Sequence, residues 1–525
     1  SHKLTAVQLM QFYLHRIRQL NPTLHAVITV SPTALADARR ADVARRSGDD
    51  RPLLGIPILV KDNINTTGMP TTAGSWALAG STPPDAFIVE QLKAAGAIII
   101  GKANLSEWAN FRSSVSSSGW SGIGGQTNMA YVLDRNPCGS SSGSAVAVSA
   151  DLAVAAVGTE TDGSIVCPSG ANGVVGLKPT VGLLSRAGII PISLEQDTAG
   201  PITRNVTDAA VLLGVMAGVD PKDPATYEQV GHAYRDYTQF LDGTALQGAR
   251  IGVWRESTYE YGGESVDAGV SAVMEQTIAA LKAAGATVVD HADMTYGEWA
   301  AAEFPALLCE FKTDIANYLQ NYTGAGYPKT LQDLIDFNNA HPELESGAPV
   351  SNWDSAVFEW AQETNGRDAE CAALRETATQ GARAEIDNLM AARNLDAIVA
   401  PSNGPAWVTD PVNGDLGGDF STFIGSSGPA AVAGYPNLSV PAGFVGPLPI
   451  GVSFIGGRWD EPKLISLGYA FEQATHARVP PQFIPTIGDD GAAAASSNGK
   501  SKQQKAKAPG ANGKAHATRR MPPLG

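Results

Sequence analysis

The chain has 525 residues, of which 43% are hydrophobic and 17% are charged, and its formal net charge is −15. This balance is typical of a globular protein with a large core and excludes a chain that is disordered throughout. Residues 491–525 contain five Lys, two Arg and no acidic residue, so the rest of the chain carries −22. An acidic body argues against a nucleic-acid partner, and the lack of any apolar run of ~18 residues predicts no membrane span.

The cysteines suggest no cross-linked or metal-binding framework. There are four of them, few for this length, and none shows C-x-x-C spacing. We therefore expect neither a disulfide framework nor a zinc site, and we predict that the cysteines pack as small buried residues. Their positions are Cys138, Cys167, Cys309 and Cys371.

Helix and strand patterns alternate along the chain. Thr5 can cap a first helix, and an apolar run over residues 53–60 predicts a buried strand that ends at Lys61. Such alternation predicts an α/β fold with a large, mixed and mostly parallel β-sheet core covered by helices on both faces. Further strands are predicted by the apolar runs at residues 97–101, 250–254, 286–289 and 395–401.

We expect one domain over residues 1–488. Within it, residues 303–390 are rich in helix formers and charge, which predicts a helical cap over the sheet. The Gly, Ala, Ser, Lys and Pro content of residues 489–525 predicts a disordered basic tail. A monomer and a homodimer both stay open.

The start of the chain bears on its location. It begins at Ser1 with a helix almost under way, which suggests that an upstream segment is missing. A cytoplasmic location is favoured, while a secreted or periplasmic one stays open if such a segment has been removed.

Two Gly-Ser turns flank one segment of small apolar residues between Cys138 and Pro168. Clustered hydroxyls and glycines allow backbone N–H groups to converge on a ligand. Lys61 ends a buried strand, where open α/β sheets place their ligand sites, although a solvated lysine that starts a turn fits the pattern equally well. These features predict a binding site without yet defining a reaction.

Several interpretations of the first turn compete. Its G-x-S-x-G match would make Ser141 a hydrolase nucleophile, but residues 133–137 are polar and proline-broken where a buried strand is needed. A phosphate-binding loop lacks the lysine that should follow the glycines, and a flexible linker disagrees with the apolar flanks. The remaining interpretation is a nucleophile at Ser164, served through Ser140 by a desolvated, neutral Lys61.

Four blocks support this last interpretation: ILVKDNIN, PCGSSSGSAVAV, GTETDGSI and GVVGLKPTVG. Together they resemble successive motifs of the amidase signature family, and the resemblance extends from the first helix to about Thr475. It implies the amidase signature fold and a Ser-cisSer-Lys triad of Ser164, Ser140 and Lys61 that forms an acyl-enzyme. The segments SEWANF, GGQT and SRAGIIPIS resemble the bacterial peptide amidases within that family.

The resemblance also implies an oxyanion hole made of backbone N–H groups. Asp162 must turn its carboxylate away or hydrogen-bond it, because an anion would oppose the charge that develops there. The implied donors are Thr161, Asp162, Gly163 and Ser164.

Two further groups of residues are assigned less directly. Three aromatic residues are expected to line an apolar acyl pocket, with plain core packing as the alternative; they are Trp108, Phe111 and Trp120. Five polar residues also match family blocks, and we expect buried hydrogen-bonding roles for them; they are Asp62, Asn104, Gln126, Asp197 and Arg204.

The substrate implied by the resemblance is a small-molecule or peptide amide, specifically the C-terminal carboxamide of a peptide, which would be hydrolysed with release of ammonia. No cofactor or metal is implied. Three alternatives remain: an amidase for aryl or aliphatic amides, a glutaminase component that resembles tRNA amidotransferases, and a non-catalytic binding protein on the same fold.

Overall fold

The computed structural model describes residues 4–346, 353–415 and 424–487. The predicted tail at residues 489–525 lies outside the described residues. The helices, in chain order, are α1 (Ala6–Leu24), α2 (Ala34–Arg46), α3 (Phe87–Ala94), α4 (Ser142–Ser149), α5 (Val166–Ala171), α6 (Val206–Met216), α7 (Ala268–Ala283), α8 (Glu298–Tyr322), α9 (Leu331–Ala340), α10 (Pro342–Glu345), α11 (Ala356–Glu363), α12 (Ala369–Arg393), α13 (Gly428–Ala433) and α14 (Glu461–Thr475).

Fifteen strands accompany these helices in the described ranges. They are β1 (Val27–Val30), β2 (Pro57–Lys61), β3 (Ile98–Ala103), β4 (Trp120–Ser121), β5 (Gly125–Gln126), β6 (Ala155–Glu160), β7 (Val175–Lys178), β8 (Thr198–Thr203), β9 (Arg250–Val253), β10 (Glu260–Tyr261), β11 (Glu264–Ser265), β12 (Thr287–Val289), β13 (Ala397–Pro401), β14 (Asn437–Val445) and β15 (Leu448–Ile455).

Eleven of the strands form one sheet, in the order β1-β3-β2-β6-β8-β7-β14-β15-β13-β9-β12. The predicted large mixed sheet is confirmed, but the balance of directions differs from the prediction. Four neighbouring pairs are parallel, and six are antiparallel. Strands β14 and β15 are joined by a two-residue turn, which permits only an antiparallel pair, whereas parallel neighbours need a longer crossover.

Helices cover both faces of the sheet, as predicted. Ile58 and Val60 of β2 pack into the layer that holds α3, α6, α7 and α14, whereas Leu59 packs into the layer of α1, α2 and α4. Side chains alternate between the faces of a strand. Lys61 therefore points into the same layer as Leu59, toward α4.

Helix α4 is made of small residues, and all of them are buried. This composition lets the helix lie close to its neighbours. The Gly143 N–H donates to the Asn104 carbonyl at 3.0 Å, and a side chain at Gly143 would collide with the backbone of Asn104 and Ala26. The first Gly-Ser turn is thereby held near the carboxyl ends of β2 and β6.

The region of the predicted cap contains α8, α9, α11 and α12. These helices bury an apolar cluster that includes Phe311, Ile315 and Phe358 together with Trp108 and Phe111 from the body. The cap region is thus packed on the side of the sheet's strand ends. No helix in the described ranges is both long enough and apolar enough to cross a bilayer.

The expectation of unpaired cysteines is wrong. Cys138 bonds to Cys167, and Cys309 bonds to Cys371. Each pair is far apart in sequence, by 29 and 62 residues, and the fold brings each pair of Cα atoms to 6.0 Å. Sequence spacing carries no sign of this proximity, because it arises from the packing of turns and helices.

A fully buried ion pair stands at the base of the sheet's strand ends. Lys102 Nζ lies 3.3 Å from Asp62 Oδ1 and donates to the Ile64 carbonyl at 2.7 Å and to Thr71 Oγ1 at 2.8 Å. Both charged side chains are inaccessible to solvent. Removing one partner would leave the other charge buried and unpaired.

We therefore expect Lys102→Met to destabilise the protein by about 3–5 kcal/mol, measured as a lower urea midpoint or Tm. Arg40→Ala is the control, because Arg40 pairs with Asp37 at the surface and such pairs are worth less than about 1 kcal/mol. Equal effects of the two substitutions would contradict the importance of the buried pair.

Candidate active site

Lys61 is the last residue of β2 and has no solvent-exposed surface. Its Nζ donates to Ser140 Oγ at 2.7 Å, to Thr159 Oγ1 at 2.9 Å and to the Thr159 carbonyl at 3.2 Å. The parallel register of β2 and β6, with Val60 opposite Val157, brings the ends of both strands together. The lysine amine is therefore fully hydrogen-bonded, and one of its partners is the predicted relay serine.

Burial sets the protonation state of this lysine. It lowers the Lys61 pKa from 10.5 to about 7, although the negative charges of Asp197 and Glu160 oppose the shift. A buried ammonium loses its hydration, which disfavours the charged form. Near neutral pH a substantial fraction of Lys61 is thus an uncharged amine, which can accept a proton.

The two predicted serines lie on adjacent turns. Ser140 follows a cis peptide bond from Gly139, and Ser164 follows β6 on the second turn. The turns meet where the Ser141 N–H donates to the Ser164 carbonyl at 3.1 Å. Ser140 has no exposed surface, while Ser164 is 7% exposed. Of these two serines, Ser164 is therefore the one that a substrate can reach.

Ser141, the alternative nucleophile, has a different environment. Its side chain is fully buried, and its hydroxyl donates to the Thr159 carbonyl at 3.0 Å and accepts from the Thr159 N–H at 3.2 Å. These bonds tie the first turn to β6. The strand that an elbow nucleophile requires before it is absent from the described structure at residues 133–137.

The turn of the expected oxyanion hole is shaped by Glu160. The buried carboxylate of this residue accepts from the N–H groups of Ile165 and Val166 at 2.7 and 3.0 Å. Gly163 has a φ of +76°, a backbone conformation that favours glycine. The turn thus reverses the chain tightly between β6 and α5, with Ser164 near its end.

Asp162 is paired with a second acid. Burial and the neighbouring Glu303 of α8 raise the pKa of Asp162 well above its usual range, and burial also raises the pKa of Glu303. Two adjacent buried carboxyl groups cannot both ionise cheaply, so they retain a proton near neutral pH. The Asp162 side chain consequently brings less negative charge to the turn than its sequence suggests.

Thr161 is anchored by its side chain and its carbonyl. Its hydroxyl donates to Asp197 Oδ1 at 2.6 Å, and its carbonyl accepts from Gln196 Nε2 at 2.9 Å. Gln196 Nε2 also donates to Glu303 at 2.7 Å. Burial raises the pKa of Asp197 to about 7. The second turn is therefore connected through hydrogen bonds to the cap helix α8.

The three aromatic residues predicted to line an acyl pocket are buried against other rings. Their neighbours are aromatic residues of the cap or, for Trp120, of the segment before α11. Trp108 meets Phe358 at a centroid distance of 5.6 Å, Phe111 meets Phe311 at 5.1 Å, and Trp120 meets Trp353 at 4.7 Å. A cavity of about 10 Å³, lined in part by Thr159, Thr161 and Asp197, lies beside the triad. That volume fits about one water molecule.

The five polar residues from the family blocks all make hydrogen bonds, in agreement with the prediction. Asn104, for example, donates to the His25 and Gly125 carbonyls, each at 3.0 Å. The others bond as follows: Asp62 to Thr72, Gln126 to the Ser118 carbonyl, Asp197 to Thr161, and Arg204 to the Ala153 carbonyl.

Sequence reasoning missed two contributors to the site. Thr159 supplies two of the three acceptors for the Lys61 amine, and its presence in the GTETDGS block was the available signal. Glu303 lies 141 positions after Asp162, and no local pattern connects them.

The comparisons with known proteins agree with this geometry. A model of the Amidase family matches residues 8–465. The native peptide amidase from Stenotrophomonas maltophilia aligns with a TM-score of 0.84 and 48% identity, over 92% of this chain and 96% of that chain. A probable amidase of Arabidopsis thaliana is 41% identical over 92% of this chain and 89% of its own length. One component of the glutamyl-tRNA(Gln) amidotransferase of Thermoanaerobacter pseudethanolicus is 34% identical, over 92% and 96%.

The similarity spans nearly the whole chain and includes the eleven-stranded sheet. It confirms the fold inferred from the sequence blocks. The chain belongs to the amidase signature family of hydrolases.

Proposed function

We propose that this protein hydrolyses the C-terminal carboxamides of peptides and releases ammonia, with Ser164 as nucleophile, Ser140 as relay and Lys61 as base. The observation that carries the triad is the 2.7 Å contact between the buried Lys61 amine and Ser140. The peptide substrate is supported by the 48% identity to the peptide amidase of Stenotrophomonas maltophilia.

The reaction begins with proton transfer along the triad. Neutral Lys61 takes a proton from Ser140 while Ser140 takes one from Ser164, whose oxygen attacks the carboxamide carbon. Backbone N–H groups of the turn that holds Gly163 stabilise the oxyanion. The C–N bond then breaks, the proton returns through Ser140 to the leaving nitrogen, and ammonia departs.

Water completes the cycle. It attacks the ester of Ser164 and gives its proton to the relay, and the peptide acid leaves with the serine restored. The protonated state of the pair formed by Asp162 and Glu303 supports this scheme, because a full negative charge beside the turn would oppose the developing oxyanion.

A second candidate is a glutaminase that passes ammonia to partner proteins. The 34% identity to a component of a tRNA amidotransferase favours it. The higher identity to a peptide amidase and the net charge of −15 favour an enzyme that acts on a diffusible amide. Glutaminase activity together with co-purifying partner proteins would establish the second candidate instead.

We expect Ser164→Ala to lower kcat for a peptide amide by about 10⁴-fold or more, because the nucleophile is lost. Lys61→Ala should lower it by about 10²–10⁴-fold, because the base is lost. Ammonia release measures both effects.

Ser141→Ala is the matched control for these variants, since it removes a hydroxyl from the same turn. It should retain activity. An inactive Ser141→Ala beside an active Ser164→Ala would transfer the nucleophile to Ser141 and overturn the proposed triad.

The pH dependence follows from the Lys61 pKa. Below about pH 7 the amine is protonated and cannot act as base, so kcat/KM should rise tenfold per pH unit up to about 7 and then level off. A profile of kcat/KM for a peptide amide measures this. An acid limb near pH 4, the range of ordinary carboxyl groups, would contradict Lys61 as the base.

A substrate panel tests the specificity. Peptide amides should give a higher kcat/KM than free amino-acid amides, aryl amides, fatty amides or glutamine, and internal peptide bonds should stay intact. A preference for aryl or fatty amides would overturn the peptide assignment and leave the triad standing.

A further inference from the structure

A disulfide joins the two turns that carry the proposed catalytic serines. Cys138 lies two residues before Ser140, Cys167 lies three residues after Ser164, and the Cα atoms of the two cysteines are 6.0 Å apart. We propose that this disulfide is a positioning element of the active site, which keeps Ser140 within relay distance of Ser164. The inference rests on the proposed function, because it concerns how those same serines are held.

The Cys138 end of the bridge is fixed by its backbone. Its φ of +57° lies in the left-handed region. Its N–H donates to Asn136 Oδ1 at 2.8 Å, and its carbonyl accepts from the Ser142 hydroxyl at 2.6 Å. Gly139 alone separates this anchored residue from Ser140, so a displacement of Cys138 is passed directly to the relay hydroxyl.

The Cys167 end is part of the nucleophile's turn. Its N–H donates to the Gly163 carbonyl at 2.9 Å. The N–H groups of Ile165 and Val166 are held by the Glu160 carboxylate. Every residue from Gly163 to Cys167 is thus tied to this short loop, and a shift of Cys167 moves the peptide that precedes the nucleophile.

Hydrogen bonds run alongside the disulfide but are weaker links. The Ser141 N–H donates to the Ser164 carbonyl at 3.1 Å. Asn172 Nδ2 donates to the Pro137 and Pro168 carbonyls at 2.9 and 2.8 Å. A hydrogen bond contributes about 1 kcal/mol and tolerates small displacements, whereas catalytic groups must be held to about 0.5 Å. The covalent bridge supplies the tighter constraint.

The second disulfide provides a matched control. Cys309 and Cys371 join α8 to α12, and the pair of Glu310 with Arg375, at 2.7 Å, links the same helices. This disulfide closes the longer loop, 62 residues against 29, so a stability effect should be at least as large for it. A positioning effect should appear only for the bridge between the turns.

The test compares two double variants of the full chain, Cys138→Gly/Cys167→Ala and Cys309→Ala/Cys371→Ala. Glycine is chosen at position 138 because it accepts the left-handed backbone without strain. For a peptide amide, measured well below each Tm, the first variant should lose about 10²-fold in kcat with KM changed less than about threefold. The second should keep its kcat although its Tm falls by as much or more.

Labelling of Ser164 by a fluorophosphonate, quantified by mass spectrometry, separates this inference from the proposed function. The first variant should label more slowly in proportion to its loss of kcat, and the second should label at the wild-type rate. Wild-type rates in both variants, or equal losses in both, would overturn the positioning role alone. Absence of Ser164 labelling in the wild type would overturn the proposed function with it.

Reduction of the folded wild-type protein covers the case in which the first variant fails to fold. Dithiothreitol donates two electrons, becomes its cyclic disulfide and converts the bridge into two thiols, and iodoacetamide with peptide mapping shows which bridge has opened. The Ser164 labelling rate should fall as the bond between Cys138 and Cys167 opens. An unchanged rate with that bond open in folded protein would overturn the inference.

Discussion

Burial of the Lys61 amine is the constraint on which the rest of the site depends. An amine held out of water loses its proton more easily, yet each of its polar contacts must then come from the protein. Thr159 and Ser140 provide them. Strand β2 brings the lysine to this position, and the small residues of α4 let the first turn approach it closely. Sheet register and helix composition therefore serve a single proton-transfer path.

The same desolvation acts on the surrounding acids with the opposite electrostatic result. Burial raises the pKa values of Asp162, Glu303 and Asp197, so an acidic protein keeps part of its charge neutralised around the reacting turn. Lys61 meanwhile keeps a pKa of about 7. One physical cause, removal from water, thus prepares the base and limits the negative charge near the oxyanion.

The sequence predicted those features that local patterns encode. An apolar run placed Lys61 at a strand end, and motif blocks identified the turns of Ser140 and Ser164. It could not predict the disulfides or the pairing of Asp162 with Glu303, because such contacts join residues that only the folded chain brings together. The excess of antiparallel strand pairs was missed for a related reason, since helix and strand patterns do not specify which strands become neighbours.

The alternation of side chains along β2 has a consequence for changes in chain length. Lys61 and Leu59 face the α4 layer, while Ile58 and Val60 face the opposite one. Inserting or deleting one residue within β2 would rotate the lysine to the far side of the sheet, although every residue type at the site would be unchanged. Length variation among relatives and in engineered libraries is thus compatible with this chemistry in the surface loops, but this strand must keep its residue count.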